Sequence, residues 1–183
     1  MKYTNEIFQR LSQGQFISSN SVDADTRALY DDIYANQQQY KEYFNEIDFQ
    51  LSVGDGYFYF SRNEKKAIVE DKLQALFTWI DYVDFLKTYD TSFGAGTQFS
   101  LAQIEIQLAV NIELKEKLTR LFPDKQSNRE KIDALVESLK NKGFAELINE
   151  RDGLYQVTSA FHYIEQIILC ININDDIKDE IPE

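Results

Sequence analysis

Phe49-Gln50-Leu51-Ser52-Val53-Gly54-Asp55-Gly56-Tyr57-Phe58-Tyr59-Phe60 reads as a β-hairpin. Phe49, Leu51 and Val53 alternate with polar residues, Gly-Asp-Gly supplies the positive-φ positions of a tight turn, and an aromatic strand returns. A hairpin is marginal in water on its own, so its apolar side must rest on other elements. The segment before it supplies them: Leu29, Ile33, Tyr40, Phe44 and Ile47 repeat at helical spacing between Asp25 and Asp48. Asn36, followed by Gln37-Gln38-Gln39, marks a break that divides this segment into two helices.

The same order recurs further along. Ser127 and Glu130 form a capping box, Ile132, Leu135, Val136 and Leu139 make a buried stripe, and Gly143 closes the helix. Phe144 to Val157 then reads as a second hairpin turning at Glu150-Arg151-Asp152-Gly153. Helices followed by a hairpin in so short a span is the order of a winged-helix domain. The expected fold is therefore α+β and mostly helical, with two winged-helix domains in tandem. Its divisions are an N-terminal domain (1–63), a connector helix and loop (64–97), a C-terminal domain (98–174) and an acidic tail (175–183).

The remaining segments fit this frame. Thr4 or Asn5 can cap a short helix carrying Ile7, Phe8 and Leu11 and ended by Gly14, and Phe16-Ile17 reads as a short strand before the turn cluster Ser18-Ser19-Asn20-Ser21. Val69, Leu73, Leu76, Ile80 and Val83 step by four and three, which predicts one long helix from Glu64 to Tyr89. Asp90 to Thr97 is the candidate flexible loop. Gln98-Phe99-Ser100 echoes Gln15-Phe16-Ile17-Ser18, and Ser100 with Gln103 forms another capping box ahead of Ile104, Leu108 and Ile112. A further helix runs from Glu113 to Phe122 and stops at Pro123, and Phe161, Ile164, Ile168 and Ile171 predict the last one.

A chain of 183 residues with 43% hydrophobic content can bury a real core. Its formal charge of −12 opposes a grip on DNA through the overall field, because nucleic-acid affinity comes largely from neutralised phosphates. A single cysteine, Cys170, excludes an internal disulfide framework and fits a reducing compartment. No apolar run reaches membrane-spanning length, so the expected location is cytoplasmic.

Catalytic chemistry finds little to work with. His162 is the only histidine, so histidine triads, zinc clusters and thiolate-imidazole pairs cannot be assembled from multiple His and Cys residues. Gly94-Ala95-Gly96-Thr97 lacks the Gly-Lys-Ser/Thr that would complete a phosphate loop. Adjacent acids such as Asp31-Asp32 and Asp175-Asp176 read as solvated surface. No catalytic residue, metal site or cofactor is expected.

Aromatic residues are the informative excess. Tyr57, Phe58, Tyr59 and Phe60 place rings on both faces of one strand, and a single core covers only one face. The other is covered either by the connector helix or by another chain, which makes these four the candidate protein-interface residues. DNA contact, were it retained, would need a basic third helix. Arg27 and Lys41 are outweighed in the first domain by Asp25, Asp31, Asp32, Glu42, Glu46 and Asp48. In the second domain Lys125, Arg129, Lys131, Lys140 and Lys142 accompany Glu130, Asp133 and Glu137, and those five are the candidate DNA-contacting residues.

At Phe44-Asn45-Glu46-Ile47-Asp48-Phe49-Gln50-Leu51, leading into Gly56-Tyr57-Phe58-Tyr59-Phe60-Ser61-Arg62, the sequence resembles the small subunits of bacterial condensin-like complexes. These are the kite proteins of MukE and MksE type, with the related subunit of Wadjet anti-plasmid systems. The opening Ile7-Phe8-Gln9-Arg10-Leu11-Ser12-Gln13-Gly14-Gln15-Phe16-Ile17 is similar too, and the tandem layout covers nearly the whole chain. The resemblance implies a non-enzymatic, nucleoid-associated homodimer that binds a kleisin, the linker bridging the heads of an SMC ATPase. ATP hydrolysis would belong to the partner, DNA would be bound weakly or only within the complex, and the role would be chromosome organisation or plasmid defence. A winged-helix DNA-binding transcription regulator is the alternative, and it predicts a basic recognition face.

Overall fold

The computed structural model describes the backbone of residues 1–61 and 66–179 and the side chains of residues 1–61 and 76–170. Expectations for the side chains of Val69, Leu73 and Ile171, and for residues 62–65 and 180–183, lie outside the described residues. Helix α1 (Thr4–Ser12) buries Ile7 and Leu11, and the chain turns left-handed at Gly14, φ +76°. Its start differs from the expected Thr4 or Asn5 cap. Tyr3 holds that position without a side-chain bond, and the carboxylate of Asp32 accepts from the Lys2 and Tyr3 amides at 2.6 and 3.1 Å.

Strand β1 (Ile17–Ser18) leads to α2 (Ala24–Ala35), whose cap is Asp23, accepting from the amides of Asp25 and Thr26. The chain breaks at Asn36 and resumes as α3 (Gln37–Asn45). The hairpin β2 (Gln50–Gly54) and β3 (Tyr57–Ser61) follows, and β1 pairs with β3 to give the antiparallel order β1-β3-β2. Ile7, Ile33, Tyr40, Phe44 and Phe58 fill the core beneath.

The second unit repeats this plan with one helix more before its hairpin and another after it. Helix α4 (Lys66–Tyr89) precedes β4 (Gln98–Ser100), then α5 (Leu101–Val110), α6 (Ile112–Leu121) and α7 (Asn128–Lys142). The hairpin β5 (Ala145–Asn149) and β6 (Leu154–Val157) completes a sheet of order β4-β6-β5, and α8 (Phe161–Asp179) ends the described chain. Both capping boxes read from the sequence form, Ser100 with Gln103 and Ser127 with Glu130. The result is an α+β, winged-helix-like fold with two units in tandem.

Two segments do more than their sequence announces. Tyr82, Val83, Phe85 and Leu86 of α4 belong to the second core, so the helix expected as a connector is also that unit's first helix. The loop from Asp90 to Thr97 is pinned and not free. Phe93 is buried with its ring 5.4 Å from Phe99 and 5.6 Å from Phe161, and Lys87 Nζ donates to its carbonyl.

Candidate functional site

Alternate side chains of a strand leave on opposite faces, and the two faces of β3 meet different units. Phe58 and Phe60 turn toward the first core, the Phe60 ring lying 4.9 Å from Phe44 and 5.0 Å from Phe49. Tyr57 and Tyr59 turn toward the second, with Tyr59 5.1 Å from Tyr163 and 5.7 Å from Phe16. Tyr57 (1% exposed) and Phe58 (0%) are thus enclosed within one chain. That corrects their reading as intermolecular contacts: the second unit already covers the face left over by the hairpin's own helices. Burial, then the neighbouring Tyr59, Tyr163 and Asp55, push the Tyr57 hydroxyl up to about 12, so it stays protonated at neutral pH.

Tyr59 and Phe60 are half-buried and reach the surface. With Phe16, Trp79, Tyr163 and Ile167 they line an open groove of about 410 Å³ between the units, where Lys142 also stands. The Trp79 ring sits edge-on to Phe144 at 5.0 Å, which ties α4 to the start of the second hairpin. The groove is mostly apolar and is walled by both units.

A polar clamp fixes the two walls relative to one another. Asn20 donates its side-chain amide to the Val157 carbonyl at 3.1 Å, and its oxygen accepts from the Ser159 N–H at 2.7 Å and the Ser159 hydroxyl at 2.9 Å. Gln156 donates to the Asn20 carbonyl at 2.7 Å. One residue on, the Glu146 carboxylate accepts from the Ser21 hydroxyl at 2.8 Å and the Val22 N–H at 2.6 Å. Sequence reading marks Ser18 to Ser21 as a turn and misses this role, since nothing local to a turn announces a partner more than a hundred residues away.

The five candidate DNA-contacting residues do not gather into one basic face. Lys131 is 6% exposed, because positions 131, 135 and 139 share the helix face that carries Leu135 and Leu139 into the core, and it is corrected from surface to interior. Arg129 lies 3.4 Å from both Glu105 and Asp133, and Lys140 lies 3.0 Å from Glu137. Lys125 and Lys142 are exposed and make no ion pair among the described residues, but they flank opposite ends of α7, a helix about 22 Å long.

His162 Nδ1 lies 3.1 Å from a Glu165 oxygen, and Lys87 pairs with the other at 2.8 Å. Cys170 is exposed on α8. Among the described residues no group of three or more His, Cys, Asp or Glu is placed to hold a metal ion, and no helix is long and apolar enough to cross a membrane.

The family model described as condensin complex protein MksE matches residues 2–168. Among curated proteins, no sequence matches the chain.

Proposed function

The chain belongs to the MksE family of condensin complex proteins, and from that premise we propose that it is a non-enzymatic subunit that dimerises and binds a kleisin. Through the kleisin it joins an SMC ATPase, which carries the hydrolysis, in a cytoplasmic, nucleoid-associated complex serving chromosome organisation or plasmid defence. The observation that carries the kleisin reading is the apolar groove between the two units, lined by Phe16, Tyr59, Phe60, Trp79 and Tyr163. Half-buried aromatic side chains in a concave, mostly uncharged seat are what the centre of a protein interface uses. Since the groove has walls from both units and the Asn20 clamp sets their spacing, a partner segment would meet a preformed site and lose little in ordering it.

The test is capture of the purified kleisin by the full chain carrying Tyr59→Ser or Lys142→Glu. Lys142 is exposed, whereas Tyr59 also packs on Phe16 and Tyr163, so melts of both variants accompany the assay; with the fold retained, each is expected to weaken capture, Tyr59→Ser the more strongly. Capture that survives both changes undiminished would move the kleisin away from the groove. The transcription-regulator reading gains no support, because the recognition-helix cations of the second unit are buried, paired or far apart.

A further inference from the structure

Helix α5 is apolar on both sides. Leu101, Ile104 and Leu108 enter the core, yet the opposite face exposes Ala102, Ile106 and Val110 in one stripe, with Gln103, Gln107 and Ala109 beside it. Ile106 is 66% exposed and Val110 76%, and Ile112, at the start of α6, continues the patch at 77%. None of these residues is charged, although the chain carries a formal −12. The nearest carboxylate on α5, Glu105, is turned aside and paired with Arg129 at 3.4 Å.

We propose that this face of α5 is where two copies of the chain meet. The inference rests on the dimer reading above and names its surface. Two molecules of the same strongly acidic chain repel wherever acidic faces approach, and a neutral apolar stripe removes that penalty at the contact. An isologous contact must also complement itself about a twofold axis. The stripe does so: with two α5 helices antiparallel and Ile106 on the axis, Ile106 faces its own image and Ala102, four residues before it, faces Val110, four residues after. Small against large at both ends permits a close helix approach.

Sedimentation of the full chain over a range of concentrations tests this. The wild type is expected to dimerise, and Ile106→Glu and Ile106→Lys are each expected to raise the dissociation constant by about thirtyfold or more, the scale of a central interface residue. Mixing the two variants restores the dimer, since Glu then faces Lys across the axis. Ile106 is exposed, so the far-ultraviolet circular dichroism of both variants should match the wild type; melts are compared at concentrations where the wild type is monomeric, because dimerisation itself raises the melting temperature. A wild-type chain that stays monomeric overturns the dimer reading itself. A dimeric wild type whose two variants dimerise unchanged overturns the α5 contact alone. Variants that keep the dimer and lose kleisin capture assign the stripe to the kleisin and overturn the proposal.

Discussion

Ser159 donates twice to the side-chain oxygen of Asn20, from its backbone N–H at 2.7 Å and from its hydroxyl at 2.9 Å, across 139 residues of chain. Asn20 lies in the turn after β1 and Ser159 just ahead of α8, so this pair is where the first winged-helix unit is bolted to the second. Ser19 lies 3.4 Å from the same Ser159 hydroxyl, and Ser18 accepts from the Ala160 N–H at 3.3 Å. The units are therefore placed by directional bonds as well as by the aromatic contacts of Phe16, Tyr57 and Tyr163.

Asn20→Ala should consequently loosen the inter-unit contact more than either core. The change removes three hydrogen bonds; the Val157 carbonyl keeps the Gly96 N–H at 2.8 Å, but the buried Ser159 N–H loses its partner, which costs about 1 to 3 kcal/mol. Urea melts should show that loss. Hydrogen exchange should localise it to β6 and the first turn of α8, with α2 and α3 unaffected.

The hairpin turn joins the same contact. Gly56 sits at φ +78°, and a Cβ there would lie 2.9 Å from the Ser19 hydroxyl and 3.0 Å from that of Ser159. Gly56→Ala combines a left-handed conformation, worth about 1 to 2 kcal/mol in strain, with crowding of the clamp. Ser19→Ala in the same chain should return part of the lost stability by making room, and a double-mutant cycle on urea midpoints measures that coupling.

The hairpins, the break at Asn36 and both capping boxes were legible because each is written within a few adjacent residues. Gly-Asp-Gly shows the division of labour: Gly56 provides the positive φ, whereas Gly54 is needed because the Tyr57 ring lies across it, 2.0 Å from where a Cβ would stand. What stayed hidden depends on residues far apart in the chain. That β3 has rings on both faces was readable, but the identity of the second cover, an entire second unit, was not. Lys131 illustrates a signal that was present and outweighed: its spacing from Leu135 and Leu139 places it on the buried face, while its charge suggested the surface. The pinned loop around Phe93 likewise looked free because Gly94 and Gly96 dominate its composition.

Stability should fall at both ends of the pH scale through Asp32 and Tyr40. Burial pulls the Asp32 carboxyl upward, yet bonds from the Tyr40 hydroxyl and the Lys2 and Tyr3 amides bring it below its ordinary 3.8. A depressed acid contributes fully above that ordinary value, and the contribution disappears as pH falls through the lower folded one. Burial, then the bond to Asp32, push Tyr40 up to about 12 from 10.0, so its contribution is complete below pH 10.0 and is lost as pH rises toward about 12. Tyr40→Phe should flatten the alkaline limb and, having lost the donor to Asp32, soften the acid limb. Melting temperatures of both proteins across the pH range, compared limb by limb, check this; an alkaline limb unchanged in the variant would show that another group causes it.

The salt dependence of DNA binding is the sharpest consequence of the dispersed cations. Each phosphate neutralised on duplex DNA contributes about −0.9 to the slope of log K against log salt. Of the five candidate residues only Lys125 and Lys142 are both exposed and without an ion pair among the described residues. Two contacts give a slope no steeper than about −2, and the chain's −12 charge opposes even those. Fluorescence anisotropy of a short labelled duplex should therefore show weak binding by the isolated protein at physiological salt. Lys125→Glu and Lys142→Glu should each make the slope shallower by about 1. A slope of −5 or steeper, on the order of five or six phosphates, would mean that a basic face exists elsewhere on the molecule and would return the transcription-regulator reading to contention.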